Sequence, residues 1–180
     1  MLKTTRLFIL SLALGLAALP ALATSNNGFT DDQLRVAEKV RKQIVTLPFY
    51  SLFDNVAFSL DGNTVTLNGE VYRPSMRKSV ERAAMQVEGV NEVVNNLEIL
   101  PTSFHDDRIR IATLRALYSH PALNRYGFRS VPPIHIIVKN GDIRLEGVVN
   151  RQSEKNMAGI LANGVFGAFT VTNNLRVEKI

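Results

Sequence analysis

The chain has 180 residues, 46% of them hydrophobic, with 21 Lys/Arg against 16 Asp/Glu and no cysteine. Without Cys, disulfides, thiolate metal sites, Cys nucleophiles and a lipid-modified N-terminal Cys are all excluded. The charge is uneven: residues 31–100 carry net −2 and residues 101–180 net +5, so the second half is the better candidate for an anionic partner.

Residues 1–23 read as a secretory signal. Lys3 and Arg6 precede an apolar run from Leu7 to Leu19, then Pro20 and an Ala21-Leu22-Ala23 cleavage site. The run is shorter than the roughly 20 residues a membrane span needs. Cleavage after Ala23 is expected, with a retained N-terminal anchor as the alternative. A flexible segment, 24–29, follows, and the mature protein is expected to be exported and soluble.

The first helix starts at Thr30-Asp31-Asp32-Gln33, which has capping-box spacing. Val36, Val40, Ile44 and Leu47 recur at helical period, and Pro48 stops the run. Two strands follow. Val56, Phe58 and Leu60 alternate with small or polar residues, Asp61-Gly62 turns the chain, and Val65, Leu67 and Val71 alternate again. Gly69 falls in phase with these inward residues, so a close backbone approach is expected there, from a helix. The second helix carries Val80, Ala83, Ala84 and Val87, and Gly89 turns the chain into a third strand with Val93, Leu97 and Ile99 facing in.

The pattern then repeats. Residues 61–99 align with 139–177 without a gap, and twelve of the 39 positions are identical. Ser103 and Asp106 begin a helix with Ile111, Leu114, Leu117 and Tyr118 as its apolar stripe, and Pro121 ends it. Ile134, Ile136 and Val138, then Asn140-Gly141, then Ile143, Leu145 and Val149 form the second hairpin, with Gly147 in the place of Gly69. Ala158, Leu161, Ala162 and Val165 mark the last helix, and Gly167 precedes the strand with Val171, Leu175 and Val177. Both copies end on an Asn pair, Asn95-Asn96 and Asn173-Asn174. One Asn of each pair lies on the open sheet face (Asn96, Asn174). The pair reads as structural, bonding backbone where a strand ends or bulges.

The expected fold is α+β: two tandem small sandwiches, at 30–100 and 101–180. Each is helix–strand–strand–helix–strand, with a mixed three-stranded sheet covered on one face by two helices. The strand–helix–strand crossover makes the third strand parallel to the second.

V-T-L-N-G-E-V (65–71), a basic helix, and V-E-G-V-N-E-V-V-N-N-L-E-I (87–99) resemble the BON domain. I-R-L-E-G-V-V (143–149) and V-F-G-A-F-T-V-T-N-N-L-R-V (165–177) resemble a second copy. The second copy departs from the family at Gly167-Ala168, where Gly-Val is usual, and in a looser helix with Gly159 and Asn163-Gly164. The resemblance implies an envelope or periplasmic location and no enzyme activity. It also implies attachment to phospholipid membranes or envelope proteins, sometimes under osmotic stress.

The residues themselves offer little chemistry. His105, His120 and His135 are spaced by 15, which matches no metal-ligand spacing, and His135 is expected to face outward on its strand. Asp61-Gly62-Asn63 lacks the later ligands of a calcium loop, and no phosphate-cradling glycine loop is present. Neither a cofactor nor a metal is expected. Nucleic acid is disfavoured by export and by the lack of a stacking platform.

The stretch R-Y-G-F-R supplies Arg125, Tyr126, Phe128 and Arg129 as candidate lipid contacts, joined by Arg108 and Arg115 at i, i+7 on the preceding helix, with Arg110 beside them extending the patch. The competing reading has the aromatics capping the core, because the first copy has F-Y-S-L-F (49–53) there without arginines. Phe166 and Phe169, replacing Glu88 and Asn91, are candidate partner-binding residues or an inter-copy interface. Ile137 and Val148 share that ambiguity. The oligomeric state stays open.

Overall fold

The computed structural model describes residues 31–129 and 131–178. The signal segment and the Thr30 cap lie outside these residues.

Both copies have the expected element order. The first comprises α1 (Asp31–Val45), β1 (Asn55–Asp61), β2 (Thr64–Val71), α2 (Pro74–Met85), β3 (Glu92–Asn95) and β4 (Glu98–Ile99). The second comprises α3 (Phe104–Tyr118), β5 (Ile134–Lys139), β6 (Asp142–Val149), α4 (Gln152–Asn163), β7 (Val171–Asn173) and β8 (Arg176–Val177), with a 3-10 turn at Asn124–Phe128. β1 is antiparallel to β2, β3 and β4 run parallel to β2, and the second sheet repeats this order. Each sheet has one core, between its inner face and its two helices. Val40, Val65, Leu67, Val80 and Leu97 fill the first, and Ile109, Leu117, Ile136, Leu145 and Leu175 the second.

Ser103 caps α3 as expected: its hydroxyl accepts from the Asp106 amide at 3.2 Å. The buried Asp106 carboxylate then accepts from the amides of Asn140 and Gly141 at 3.0 and 2.8 Å, tying the hairpin turn to the helix start.

The third strand of each copy breaks at the Asn pair, and the break explains the repeat. The Asn95 side chain donates to the Arg77 carbonyl at 3.0 Å and accepts from the Leu97 amide at 3.1 Å. Asn173 does the same with Lys155 and Leu175, at 2.7 and 3.2 Å. A carboxamide is short and carries both donor and acceptor, so it can staple strand to helix across a bulge. This job falls on the first Asn of each pair. Asn96 and Asn174 lie on the open face, donating to Asn68 and Glu146.

Four expectations need correction. Gly69 and Gly147 do meet a crossing backbone, but it belongs to the neighbouring strand and not to a helix. Their φ values are +113° and +110°, and an added Cβ would lie 2.0 Å from the carbonyl oxygens of Asn55 and Pro133. Only glycine tolerates that conformation and that approach. Gly89 and Gly167 sit at the expected turns, also with positive φ. Ile99 and Val177 are exposed, because the bulge shifts the phase; Leu100 is buried instead. On α3 the buried stripe is Ile109, Thr113 and Leu117, leaving Ile111 on the outer face. Finally, His135 points to the open sheet face, yet it is half-buried because the first copy covers that face. Its Nδ1 donates to the Asp54 carbonyl at 2.6 Å.

The two copies are thus docked. The turn before β1 meets the outer edge of β5, where the Ile136 amide donates to the Leu52 carbonyl at 2.7 Å. Leu52 and Phe53 pack against the second core. Asp54, fully buried, fixes the segment by accepting from Ser51 and from the Tyr72 amide at 2.7 Å. Ile137, on the open face of β5, is buried, and Val148 lines the groove between the copies.

Candidate membrane-facing surface

The R-Y-G-F-R stretch does not form one surface. Tyr126 is only 2% exposed. Its hydroxyl donates to Glu154 Oε2 at 2.7 Å and accepts from the Asn150 amide at 2.9 Å. Arg125 turns onto the same carboxylate at 2.5 Å, and its guanidinium lies 4.8 Å from the Tyr126 ring centroid. Glu154 is buried at the first turn of α4 and also accepts from the Arg151 amide at 3.0 Å. A buried carboxylate needs such partners. Tyr126 is therefore buried, as the core-capping reading had it for both aromatics, but Phe128 is not; Arg125 stays exposed while tied to Glu154. Phe128 is 87% exposed, and Arg129 is exposed and lines a groove between the copies.

Phe166 and Phe169 sit at the opposite end of the second copy, beside the start of α3. There His105 Nε2 donates to the Gly167 carbonyl at 3.1 Å, and the His105 and Phe169 rings lie 6.0 Å apart. Phe104, missed in the sequence, and Phe166 flank this contact. Phe104, Phe166 and Phe169 are 92%, 99% and 75% exposed. Three large rings this open at one end form an apolar tip, and isolated soluble domains seldom leave such a patch without a use.

The outer face of α3 leads away from that tip. Phe104, Arg108, Ile111 and Arg115 follow at i, i+4, i+7 and i+11, so they share one stripe, and all four are exposed. Among the described residues Arg108 and Arg115 make no ion pair. The stripe spans about 17 Å at 1.5 Å per residue. Phe128 lies beyond the far end of the helix, where Gly127 meets the Tyr118 ring. The expected lipid contacts are thus divided. Arg108 and Arg115 join the Phe166 and Phe169 end, while Arg125, Tyr126, Phe128 and Arg129 do not. Phe104 was legible as a helix-start residue four before Arg108, but its end of α3 meets the turn after α4 through the His105–Gly167 contact, which no local pattern shows.

Arg110, expected to extend the Arg108 and Arg115 patch, does the reverse of a surface cation. It is 1% exposed, pairs with Asp107 at 2.6 Å and donates to the Val138 carbonyl at 2.5 Å. Among the described residues no group of three or more His, Asp or Glu side chains could hold a metal ion. No described helix is long and apolar enough to cross a membrane.

The sequence pattern of the BON domain matches residues 32–101 and 120–179, well over half of the chain; the first stretch spans the first sandwich, and the second covers the second sandwich from the end of α3 onward. The chain belongs to the BON domain family. Among curated proteins none matches. Two solved structures align over most of the chain. They are of CdsD, a structural protein of the type III secretion system of Chlamydia trachomatis, and of its C-terminal domain. Both are 12% identical, with TM-scores of 0.30 and 0.29. They cover 81% and 82% of this chain and 93% and 99% of theirs. At those scores the likeness carries no argument.

Proposed function

We propose that the protein is an exported, non-catalytic envelope component of the periplasm that associates peripherally with anionic phospholipid through its second domain. The observation that carries this reading is the tip of Phe104, Phe166 and Phe169 at the head of a stripe holding Arg108 and Arg115. Aromatic rings favour the headgroup level of a bilayer, and a nearby cation adds about 1 kcal/mol at an anionic surface. The net charge of +5 on residues 101–180 adds long-range attraction that salt screens. Family membership supports the envelope setting.

Co-sedimentation of residues 24–180 with phosphatidylglycerol vesicles tests this. Binding should fall at high salt and with Phe166→Ser or Arg108→Glu. Equal recovery on neutral phosphatidylcholine vesicles would refute the anionic preference.

A second reading, an adaptor for an envelope protein, has its own support. The outward residues of α4, Gln152, Ser153, Asn156, Ile160 and Asn163, are exposed and uncharged, and depletion of charge marks the centre of protein interfaces. Capture of an envelope protein that is lost with Ile160→Glu and kept with Arg108→Glu would favour it.

A further inference from the structure

The two hairpins have the same register but different outer edges. On β5 the outward groups are covered. The Ile134 carbonyl accepts from the Tyr118 hydroxyl at 3.0 Å, the Ile136 amide donates to Leu52, and the Val138 carbonyl accepts from Arg110. β1 is the equivalent strand, and Phe58 holds the position of Ile136, opposite Leu67 as Ile136 is opposite Leu145. The Leu67 carbonyl accepts from Asn96 on the other side, so the Phe58–Leu67 pair is a non-bonded one and the Phe58 amide and carbonyl point away from the sheet. Among the described residues neither has a partner. Arg35, the counterpart of Arg110, stays at the surface with Asp32.

That open edge borders a groove of about 680 Å³ between the two domains. Val56 and Phe58 line one wall, and Val131 and Val148 line the other. Arg41 and Arg129 also line it, both exposed and without an ion pair among the described residues. The one acidic residue of the lining, Glu146, is already held by Arg144 at 2.9 Å and Asn174 at 2.8 Å. The groove therefore offers unpaired backbone, apolar walls and spare positive charge.

We propose that this groove docks an extended peptide strand bearing a carboxylate. The strand adds to the free edge of β1 through the backbone of Phe58 and sets its acidic group against the guanidinium groups of the lining. The occupied twin shows that a backbone group satisfies this position: at β5 the turn at Leu52-Phe53 supplies one carbonyl to the Ile136 amide and packs its side chains on the core. An acyl chain would fill the apolar walls but leave the Phe58 amide unsatisfied. This site is separate from the aromatic tip, so either can fail without the other.

The test uses residues 24–180 and a labelled library of hexapeptides with alternating valine and threonine ending in aspartate. Micromolar to millimolar binding is expected, at least about ten-fold weaker for twins N-methylated at alternate amides. Hydrogen exchange at Phe58 should slow about ten-fold on binding, and Arg41→Glu and Arg129→Glu should each weaken affinity severalfold. Both arginines are exposed, so their replacement leaves the fold intact, which circular dichroism checks. Equal binding of the methylated twins, unchanged exchange at Phe58, or no binding at millimolar peptide would overturn the proposal. So would lysophosphatidylglycerol filling the groove in place of the peptide.

Discussion

The guanidinium of Arg110 stacks over the ring of Tyr72, 4.8 Å from its centroid, across the boundary between the two domains. Tyr72 also donates to Asp107, the ion-pair partner of Arg110, at 3.1 Å. One buried cation thus closes the edge of β5 and holds the first domain against it. Removing it leaves Asp107 without its ion-pair partner and the Val138 carbonyl bare. Arg110→Ala should cost about 3–5 kcal/mol, seen as a lower denaturant midpoint for the mature chain. An unchanged midpoint would mean that the domains hold together without this clamp.

Gly69 and Gly147 test the sheet geometry. A methyl group would collide with a backbone oxygen at a positive φ. Gly69→Ala and Gly147→Ala should each destabilise by more than about 1 kcal/mol. Gly62→Ala is the control for backbone strain alone, because its φ is also positive, at +56°, but nothing lies within 4 Å of an added Cβ, so it should cost less than the other two. Thermal melts of the three variants should rank accordingly.

His135 makes docking sensitive to acid. Burial holds its imidazole below the usual pKa, against the opposing pull of Asp54 and Glu146. The unfolded chain takes up this proton near pH ~6.5, while the folded chain resists it. The stabilisation is therefore complete above that pH and is lost as pH falls through the folded value. The melting temperature should drop more between pH 7 and 5.5 for the parent than for His135→Asn. Parallel curves would show that this imidazole does not couple to folding.

Tyr126 and Phe166 should separate stability from surface binding. Tyr126→Phe strips a hydroxyl from the Asn150 amide and the buried Glu154, at a cost of about 1–3 kcal/mol, and should leave vesicle binding alone. Phe166→Ser should do the reverse, since that ring touches almost nothing but solvent. Paired melts and vesicle titrations check both halves.

The architecture was legible because each element wrote its period twice. The Asp61-Gly62 turn returns as Asn140-Gly141, Gly69 as Gly147 and the Asn95-Asn96 pair as Asn173-Asn174, so a doubled α+β fold followed from spacing alone. What escaped depends on contacts between distant segments. Ile111 lay on an apolar stripe, yet α3 turned Ile109 and Thr113 inward instead. Arg110 reads as one more surface cation until the first domain covers it. In the R-Y-G-F-R stretch, the buried Glu154 on a helix 29 residues away claimed Arg125 and Tyr126. A charge count weighs all cations equally, whereas the fold spends some inside.

The chain contains no tryptophan, so one introduced indole reports its own surroundings. Phe166→Trp and Phe128→Trp place that probe at opposite ends of the second domain, at two exposed positions. With phosphatidylglycerol vesicles at low salt, docking through the Phe104, Phe166 and Phe169 tip predicts a blue-shifted emission for the indole at 166 and none for the one at 128. A shift at 128 alone, or at neither site, would contradict it.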